Sequence, residues 1–330
     1  MQPFRAFRIH QDDAGHRAGI ETIALDDLTA GEVVIRAEWS SVNYKDALAG
    51  TGKGRILRRF PLNGGIDVAG VVAASTSPAF REGDRVLATG CGLSETLDGG
   101  YADYVRLPAS AVVALPDTLT TREAMIIGTA GYTAALALLR MTDNRQTPTK
   151  GPIAITGATG GVGMLGIDIF SGAGYEVHAI SGKRDRFDTL RQLGASTCVD
   201  RHELAFGDKP LESARYGGLL DNVGGRTLAG LLPCIVPYGN AAICGNAGGP
   251  ELSTTVLPFI LRGVGLLGVA SAGSPRDIRE EVWRRLAGDW RPRHLDTICT
   301  RDVGLDEVHG VFDTMLAGES FGRTVVRIAP

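Results

Sequence analysis

The sequence predicts a two-domain α/β protein that combines a mainly β domain with a doubly wound parallel sheet. Its 330 residues are enough for two hydrophobic cores. From about residue 123, short apolar strands alternate with helical segments, as in doubly wound folds. One of these strands, 152–156, is followed at once by a group of glycines and an apolar helix. The predicted boundaries place 1–122 and 272–330 in the β domain and 123–271 in the parallel-sheet domain.

Short strands bounded by glycines predict a barrel-like first domain. Their patterns lie at 32–39, 65–72 and 84–89, with turn residues between them. A last strand pattern at 323–328 comes after the parallel sheet, which predicts that the chain returns to the first domain.

The second domain is predicted to hold six strands, each apolar and short enough to be buried on both faces. They lie at 152–156, 176–180, 197–200, 218–220, 240–244 and 264–269. Helices are predicted at 123–127, 132–139, 164–170, 257–262 and 276–286.

The glycine group between the strand 152–156 and its helix predicts a dinucleotide site. A pyrophosphate binds well at a helix N-terminus, and glycines let the backbone approach it closely. The spacing departs from the usual G-x-G-x-x-G, so the alternative of a plain turn stays open. We expect Thr159, Gly160, Gly161 and Val162 to contact the pyrophosphate.

The end of the next strand predicts NADPH as the cofactor. Sites that prefer NAD place an acidic residue there to bind the ribose 2′-hydroxyl. Here Ser181, Gly182, Lys183 and Arg184 follow the strand, so that a hydroxyl precedes two cations, and Arg201 after the neighbouring strand adds a third. A hydroxyl and two cations suit a 2′-phosphate. The alternative is a basic loop that only faces solvent.

Composition excludes several other classes of protein. The formal net charge of −3 implies no nucleic-acid partner and no anionic membrane surface. No run approaches the ~20 apolar residues of a membrane span, and the N-terminus lacks the apolar core of a signal peptide. The five cysteines contain no Cys-x-x-Cys pair, which argues against a disulfide scaffold or a structural zinc knuckle. A soluble cytoplasmic protein is expected.

Taken in order, the motifs resemble the medium-chain dehydrogenase/reductase superfamily, in its zinc-free branch similar to quinone reductases. The segments that carry this resemblance are 41–46, 65–70, 83–86, 128–134 and 157–163. Within that branch the chain is most similar to NADPH-dependent acryloyl-CoA reductases, through the segments 43–48, 51–54, 124–131 and 254–262. The resemblance implies a GroES-like catalytic domain beside a Rossmann cofactor domain.

The zinc-dependent members of this superfamily have metal ligands where this sequence has other residues. Asn43 stands in place of a Cys, and Ile66 and Asp67 stand in place of a His-Glu pair. Ile66 has no atom that binds a metal, and Asn43 is a poor zinc ligand. The expected chemistry is therefore the metal-free reduction of an activated alkene or a quinone.

The resemblance implies hydride transfer from NADPH to the C=C bond of acryloyl-CoA, giving propanoyl-CoA. Tyr44 is the candidate catalytic residue and a candidate cofactor contact, with packing in the cleft as its alternative role. Asn246 and Ser271 follow strand ends and are expected to border the nicotinamide, on a site that also includes Thr129. Lys45 is an alternative donor, or else a side chain that is solvated or paired with Asp46.

Two further expectations concern partners. The basic run of Lys53, Arg55, Arg58 and Arg59 is a candidate surface for coenzyme A phosphates, or else a solvated face. The apolar strand at 264–270 predicts an exposed sheet edge and hence a homodimer. An NADPH:quinone oxidoreductase and a non-catalytic NADPH-binding protein are the alternative functions.

Overall fold

The computed structural model describes residues 2–328. Its contacts divide the chain into two units. The first comprises Met1–Thr129, Ala272–Trp283 and Cys299–Pro330, and the second comprises Ala130–Ser271 and Arg284–Ile298. The domain boundaries given above, 1–122 with 272–330 and 123–271, remain a prediction.

Strands and helices are numbered in chain order. The strands are β1 Phe4–Asp12, β2 Gly15–Ile23, β3 Val33–Ser41, β4 Leu62–Asn63, β5 Asp67–Ser75, β6 Arg85–Thr89, β7 Tyr104–Leu107, β8 Val113–Ala114, β9 Ile153–Thr156, β10 Val177–Ser181, β11 Thr197–Asp200, β12 Tyr216–Asp221, β13 Ile235–Ile243, β14 Gly265–Gly268, β15 Cys299–Gly304 and β16 Arg323–Arg327. The helices are α1 Tyr44–Gly50, α2 Thr121–Asp143, α3 Gly161–Gly172, α4 Phe187–Gln192, α5 Gly225–Leu231, α6 Leu257–Arg262, α7 Arg276–Leu286, α8 Leu295–Ile298 and α9 Val308–Leu316.

The first unit contains two β-sheets. The larger has the order β15-β16-β3-β5-β6-β8, with β7 also paired to β3, and the smaller has the order β2-β1-β4. β16 pairs antiparallel with β3, with Val325 opposite Ser41. This pairing confirms that the end of the chain returns to the first domain. One core of this unit brings Phe7 against Phe312, whose ring centroids are 5.8 Å apart.

The second unit is built on one parallel sheet with the order β11-β10-β9-β12-β13-β14. All six strands occur where the apolar runs predict them. The strand order reverses direction between β9 and β12, which is the switch point where open parallel sheets bind ligands. The sheet packs its apolar residues into a core of its own, which includes Ala154, Leu219 and Ile235.

Helix α2 joins two segments that the sequence predicts as separate helices. Its kink lies at Gly128, where φ is 48° and ψ is −158°. A Cβ atom there would lie 2.7 Å from both the Arg323 Nη2 and the Asp67 Oδ2 atoms, so only glycine fits. The helix has the length and hydropathy of a membrane span, but its most apolar window is 83% buried in the protein. Such burial is typical of a core helix.

Candidate active site

The first part of the candidate site is the turn between β9 and α3. Gly160 is the N-cap of α3, and no side chain of the described residues caps the helix. The first N–H groups of the helix, from Gly161 onward, therefore have no helical acceptor. They lie directly after the carboxyl end of a buried strand, which is the geometry that binds phosphate.

The glycines of this turn differ in how closely other atoms pack around them. A Cβ atom at Gly163 would lie 2.4 Å from the Gly157 carbonyl oxygen and 2.7 Å from the Ala158 Cα atom. A Cβ atom at Gly160 would meet nothing closer than 3.4 Å. Helix α3 thus packs tightly against the turn at Gly163, whereas space is left around Gly160. The residues fit the pyrophosphate of a dinucleotide.

The second part lies at the ends of β10 and β11, where Ser181 is opposite Asp200. The Ser181 hydroxyl is 3.1 Å from the Thr159 hydroxyl and accepts the Lys183 N–H at 3.2 Å. Arg201 lies over Gly182, because a Cβ atom on Gly182 would be 2.7 Å from the Arg201 Nε atom. The structure therefore brings together Thr159, Ser181, Lys183 and Arg201.

Arg184 and Arg201, the two arginines after β10 and β11, differ in whether a carboxylate pairs with them. Arg184 donates to Asp200 and to Glu203, so two carboxylates neutralise it. The Arg201 guanidinium contacts the His202 ring at 3.3 Å and has no carboxylate partner within residues 2–328. Both arginines are charged, but the charge of Arg184 is offset by two carboxylates, whereas that of Arg201 is not offset by any carboxylate within residues 2–328.

The switch point of the sheet holds polar residues that the sequence pattern did not single out. The Thr156 hydroxyl donates to Asp221 Oδ1 at 2.7 Å, which links the ends of β9 and β12. Asn222 donates its amide to the Thr156 carbonyl at 2.7 Å. In the sequence, Asp221 and Asn222 follow an apolar run, which could have marked them as candidates. Their contact with Thr156 could not be predicted, because it depends on β9 and β12 being neighbours. Burial raises the pKa of Asp221.

Cys244 follows β13 at the same edge. Its thiol donates to the Asn222 side-chain oxygen at 3.1 Å. Burial, and then the charge of Asp221, raise its pKa to about 12. A thiol this weakly acidic is not a nucleophile near neutral pH.

Asn246 and Ser271 each lie three residues beyond the ends of neighbouring strands. Asn246 follows β13 and is exposed, and Ser271 follows β14 and is half-buried. Because β13 and β14 run parallel, both residues lie at the carboxyl edge of the sheet, as do Gly160 and Lys183. The predicted cofactor residues of the second unit thus share one edge.

In the first unit, Tyr44 begins helix α1, for which the sequence pattern predicts no helix. Asn43 is its N-cap. The Asn43 N–H donates to Asp46 Oδ2 at 2.8 Å, which closes the first turn. The Tyr44 side chain is 55% exposed, one of the largest apolar exposures among the described residues. This exposure leaves its phenol available to a ligand.

Asn43, the residue before Tyr44, belongs to a polar cluster with the buried residues Asp46, Asp67 and Arg323. Asp67 accepts from the Ser41 hydroxyl at 2.6 Å, from the Asn43 amide at 2.8 Å and from the Thr129 N–H at 3.0 Å. Asp67 thus accepts the Thr129 N–H directly after the kink of α2 at Gly128, where the helix begins again.

Arg323 supplies the only positive charge in this cluster. Its Nη1 atom donates to the Asn43 side-chain oxygen at 3.0 Å, and its Nη2 atom donates to the Ser41 hydroxyl at 2.7 Å. Its distance to Asp67 is 3.9 Å. Burial lowers the pKa of this guanidinium, and the charges of Asp67 and Asp46 oppose that effect. One cation therefore faces two buried carboxylates.

The basic run lies in the loop after α1. Its four cations, Lys53, Arg55, Arg58 and Arg59, are exposed and have no carboxylate partner in the described part of the chain. The Arg58 N–H donates to the Glu95 carbonyl at 2.8 Å, which anchors the loop. The expected pair of Lys45 with Asp46 is wrong: Lys45 pairs with Glu95, because Asp46 points into the buried cluster.

Comparison with known proteins places these features in a family. Residues 29–117 match the family described as "Alcohol dehydrogenase GroES-like domain", and 161–288 match "Zinc-binding dehydrogenase". The putative quinone oxidoreductase YhfP of Bacillus subtilis is 42% identical over 98% of this chain and 99% of its own length. The chain belongs to the medium-chain dehydrogenase/reductase superfamily.

Other members are equally similar. The probable acrylyl-CoA reductase AcuI of Escherichia coli is 41% identical, over 98% of this chain and 99% of its own. The yhdH oxidoreductase of Salmonella enterica, solved in complex with NADP, matches with a TM-score of 0.95 and 41% identity over 98% of this chain and 100% of its own. Bacillus subtilis yhfP, solved with NAD bound, has a TM-score of 0.95 and 41% identity over 99% of this chain and 100% of its own.

The fold expected from the sequence, a GroES-like domain with a Rossmann sheet, is confirmed by these matches. The zinc of the superfamily does not fit the residues present. Asn43 already accepts from Arg323 and donates to Asp67, and Ile66 is an apolar residue buried in the core. Among the residues that the structure describes, no group of three or more His, Cys, Asp or Glu is arranged to hold a metal.

Proposed function

We propose that this member of the superfamily reduces the C=C bond of a short α,β-unsaturated acyl-CoA, acryloyl-CoA in the first instance, to the saturated thioester with NADPH. The observation that carries the proposal is the Asn43 cluster. Where a Lewis acid would polarise a carbonyl, this chain has an amide held by Arg323 and Asp67. An alkene conjugated with a thioester accepts hydride without a metal, because the charge moves onto its oxygen.

The residues present fit NADPH. Bound NADPH supplies the hydride. The α3 N-terminus at Gly161 and Val162 would hold the pyrophosphate, and Ser181, Lys183 and Arg201 would hold the 2′-phosphate. Asn246 and Ser271 would border the nicotinamide. The NADP complex of the Salmonella relative supports this choice, and the NAD complex of the Bacillus relative makes cofactor preference the property to measure.

Tyr44 would donate a hydrogen bond or proton to the enolate side of the reduced substrate. Its phenol is exposed and stands on a helix whose first turn is held by buried groups. Tyr44→Phe is expected to lower kcat by about 100-fold and leave KM nearly unchanged, since a proton donor acts in the transition state. Rapid-mixing kinetics of NADPH oxidation measure this. An unchanged kcat would assign Tyr44 to packing.

An acyl-CoA substrate is supported by the loop cations and by the relative named acrylyl-CoA reductase. Coenzyme A carries several phosphates, and the four exposed cations, which have no carboxylate partner among the described residues, form a surface that attracts anions. The relative named quinone oxidoreductase favours the second candidate, reduction of a quinone at the same site.

A steady-state assay separates the candidates. The purified chain would be given NADPH with acryloyl-CoA, with a quinone, or with buffer alone, each before and after exhaustive chelation. The proposal expects the highest kcat/KM for acryloyl-CoA and no loss after chelation. Faster reduction of the quinone would establish the second candidate. NADPH binding without turnover on either substrate would identify a non-catalytic NADPH-binding protein.

We also propose a homodimer that works in the cytoplasm. The five cysteines all lie in the described chain as free thiols, which suits a reducing compartment. The dimer would form at the β14 edge of the second unit, and its test is given in the Discussion.

A further inference from the structure

The polar cluster of Asn43, Asp46, Asp67 and Arg323 contains more negative than positive charge. Asp46, Asp67 and Arg323 are each no more than 3% exposed. Three groups outside α1 face Asp46: Asp67 on β5, Arg323 on β16 and the hydroxyl of Tyr101 in the segment before β7, which donates to the Ser41 carbonyl at 3.0 Å. With both carboxylates ionised, the cluster carries one uncompensated buried negative charge.

Asp46 connects this charge to Tyr44. Its Oδ2 atom accepts the Asn43 N–H at 2.8 Å and the Asn43 side-chain amide at 3.2 Å. Its Oδ1 atom accepts the Ile66 N–H at 2.9 Å. Both oxygens therefore face donors, and two of these donors belong to the residue that caps α1 and precedes Tyr44.

We propose that the ionised Asp46 carboxylate is the positioning group of Tyr44, and that protonation of Asp46 releases the first turn of α1. A protonated carboxyl carries a hydrogen on one oxygen. It also loses the negative charge, and hydrogen bonds to a neutral acceptor are weaker than those to an ionised one, so the bonds from Asn43 to Asp46 weaken. The Asn43 cap then loosens, and the orientation of the Tyr44 ring becomes less defined.

The surroundings of Asp46 set the pH at which this happens. Burial, followed by the charge of Asp67, raises the pKa of Asp46 to about 7, although the N–H groups of Asn43 and Ile66 act in the opposite direction. The pKa of Asp46 is therefore higher in the folded chain than the ordinary value of 3.8 that applies to the unfolded chain. Stability from this group is therefore complete below the unfolded pKa and is lost as the pH rises through the folded pKa.

Positioning and stability consequently change in opposite directions across neutral pH. Above the folded pKa the carboxylate is ionised, Tyr44 is fixed and the folded state is less stable. Below it the carboxyl is neutral, the fold is more stable and Tyr44 is released. A residue that served only the fold would show no such opposition.

The test uses NMR on the full chain, with ¹³C in the Asp carboxyl and Tyr ring carbons, between pH 5.5 and 8.5. The Tyr44 and Asp46 signals are assigned through Tyr44→Phe and Asp46→Asn. We expect both signals in the wild-type protein to move with one midpoint near pH 7, and the Tyr44 signal to stay constant in Asp46→Asn. A Tyr44 signal that does not move in the wild type overturns the proposal, whether or not Asp46→Asn folds.

Glu95→Gln is the matched control. It removes the partner of Lys45 on the same helix but leaves Asp46 untouched, so the Tyr44 titration should persist. The proposed role of Asp46 is contradicted if the Tyr44 signal stops titrating in Glu95→Gln, or if it still titrates in a folded Asp46→Asn. The catalytic meaning of the positioning rests on the proposed function, but the ring titration needs no substrate. Failure of the enzyme assay and failure of this inference are therefore distinguishable.

With an active substrate, kcat provides a second measurement. In the wild type it should fall as the pH drops through 7, while the melting temperature rises. In Asp46→Asn neither quantity should show this transition. Parallel changes of kcat and melting temperature would assign Asp46 a purely structural role.

Discussion

At the level of single residues, the cations at the ends of β10 and β11 differ in their surroundings. Lys183, Arg184 and Arg201 look equivalent in the sequence. In the structure, Arg184 is paired with Asp200 and Glu203, whereas the Lys183 N–H is held by Ser181 and Arg201 lies over Gly182. The 2′-phosphate of NADPH is therefore expected at Lys183 and Arg201.

Lys183→Ala should weaken NADPH binding by about 10- to 100-fold, because a hydrogen bond to a charged group contributes about 1.5–3 kcal/mol. NADH lacks the 2′-phosphate, and its affinity should hardly change. Titration of each cofactor by fluorescence or calorimetry measures both values. Arg184→Ala is the matched control, and it should leave the ratio of the two affinities unchanged. Equal losses for NADPH and NADH in Lys183→Ala would refute the assignment.

Among the elements, α3 is held in place by a buried carboxylate in its middle. Asp168 accepts the N–H groups of Arg293 and His294 at 2.8 and 2.9 Å, and the Arg293 Nε atom at 3.2 Å. Its side chain is 0% exposed. Since α3 begins at the turn proposed to bind the pyrophosphate, this contact also fixes the direction of the first turn of that helix.

Asp168→Ala should lower the free energy of unfolding by about 2–3 kcal/mol, because two N–H donors lose their acceptor in a buried site. The loss should be smaller than for a fully buried ion pair, since Arg293 is half exposed and can reach water. Urea denaturation measures the change. Asp188→Ala is the control: its pair with Arg191 is on the surface, and its midpoint should match the wild type. A similar midpoint for both variants would contradict the role of Asp168.

The loop after α1 offers a test of the substrate class. Neutralising Arg58 and Arg59 together should raise KM for acryloyl-CoA and make it less sensitive to salt, because exposed charges are screened. Turnover at saturation should change little, as the lost contacts act equally in ground and transition states. Arg81→Ala removes an exposed arginine outside this loop and serves as the control. If the double substitution changes neither KM for acryloyl-CoA nor its salt dependence, this loop does not bind the substrate.

For the whole molecule, the edge of the parallel sheet suggests how copies of the chain assemble. β14 is the last strand of the sheet. Large apolar side chains of the same unit are exposed on and around this edge and the nearby α6: Tyr238 73%, Val256 64%, Ile260 67%, Leu261 63% and Leu266 36%. An unpaired apolar edge invites pairing with a second copy.

We expect sedimentation at micromolar concentration to show a dimer, related by a two-fold axis at β14. Replacing Ile260 and Leu261 together by Glu should give a monomer, because charges would be buried without partners. Phe60→Ser, which removes an exposed aromatic residue of the first unit, should leave the dimer intact. A wild-type monomer under these conditions would rule out the proposed assembly.

The sequence alone determined the six strands of the parallel sheet and the absence of zinc ligands at Asn43 and Ile66. It also indicated the pyrophosphate turn and the cations after β10 and β11. These features follow from local patterns: buried parallel strands are continuous apolar runs, a tight turn before a helix needs glycine, and a residue type either can or cannot bind a metal. Each is visible within about ten neighbouring residues.

Only the tertiary structure decided which polar side chains meet. Asp46, Asp67 and Arg323 come from α1, β5 and β16, and their cluster forms because β3 pairs with both β5 and β16. Thr156 meets Asp221 because β9 and β12 are neighbours, and Lys45 pairs with Glu95 rather than with Asp46. The energy of a charge depends on its partners and its distance from water, and both are set by contacts between residues far apart in the chain.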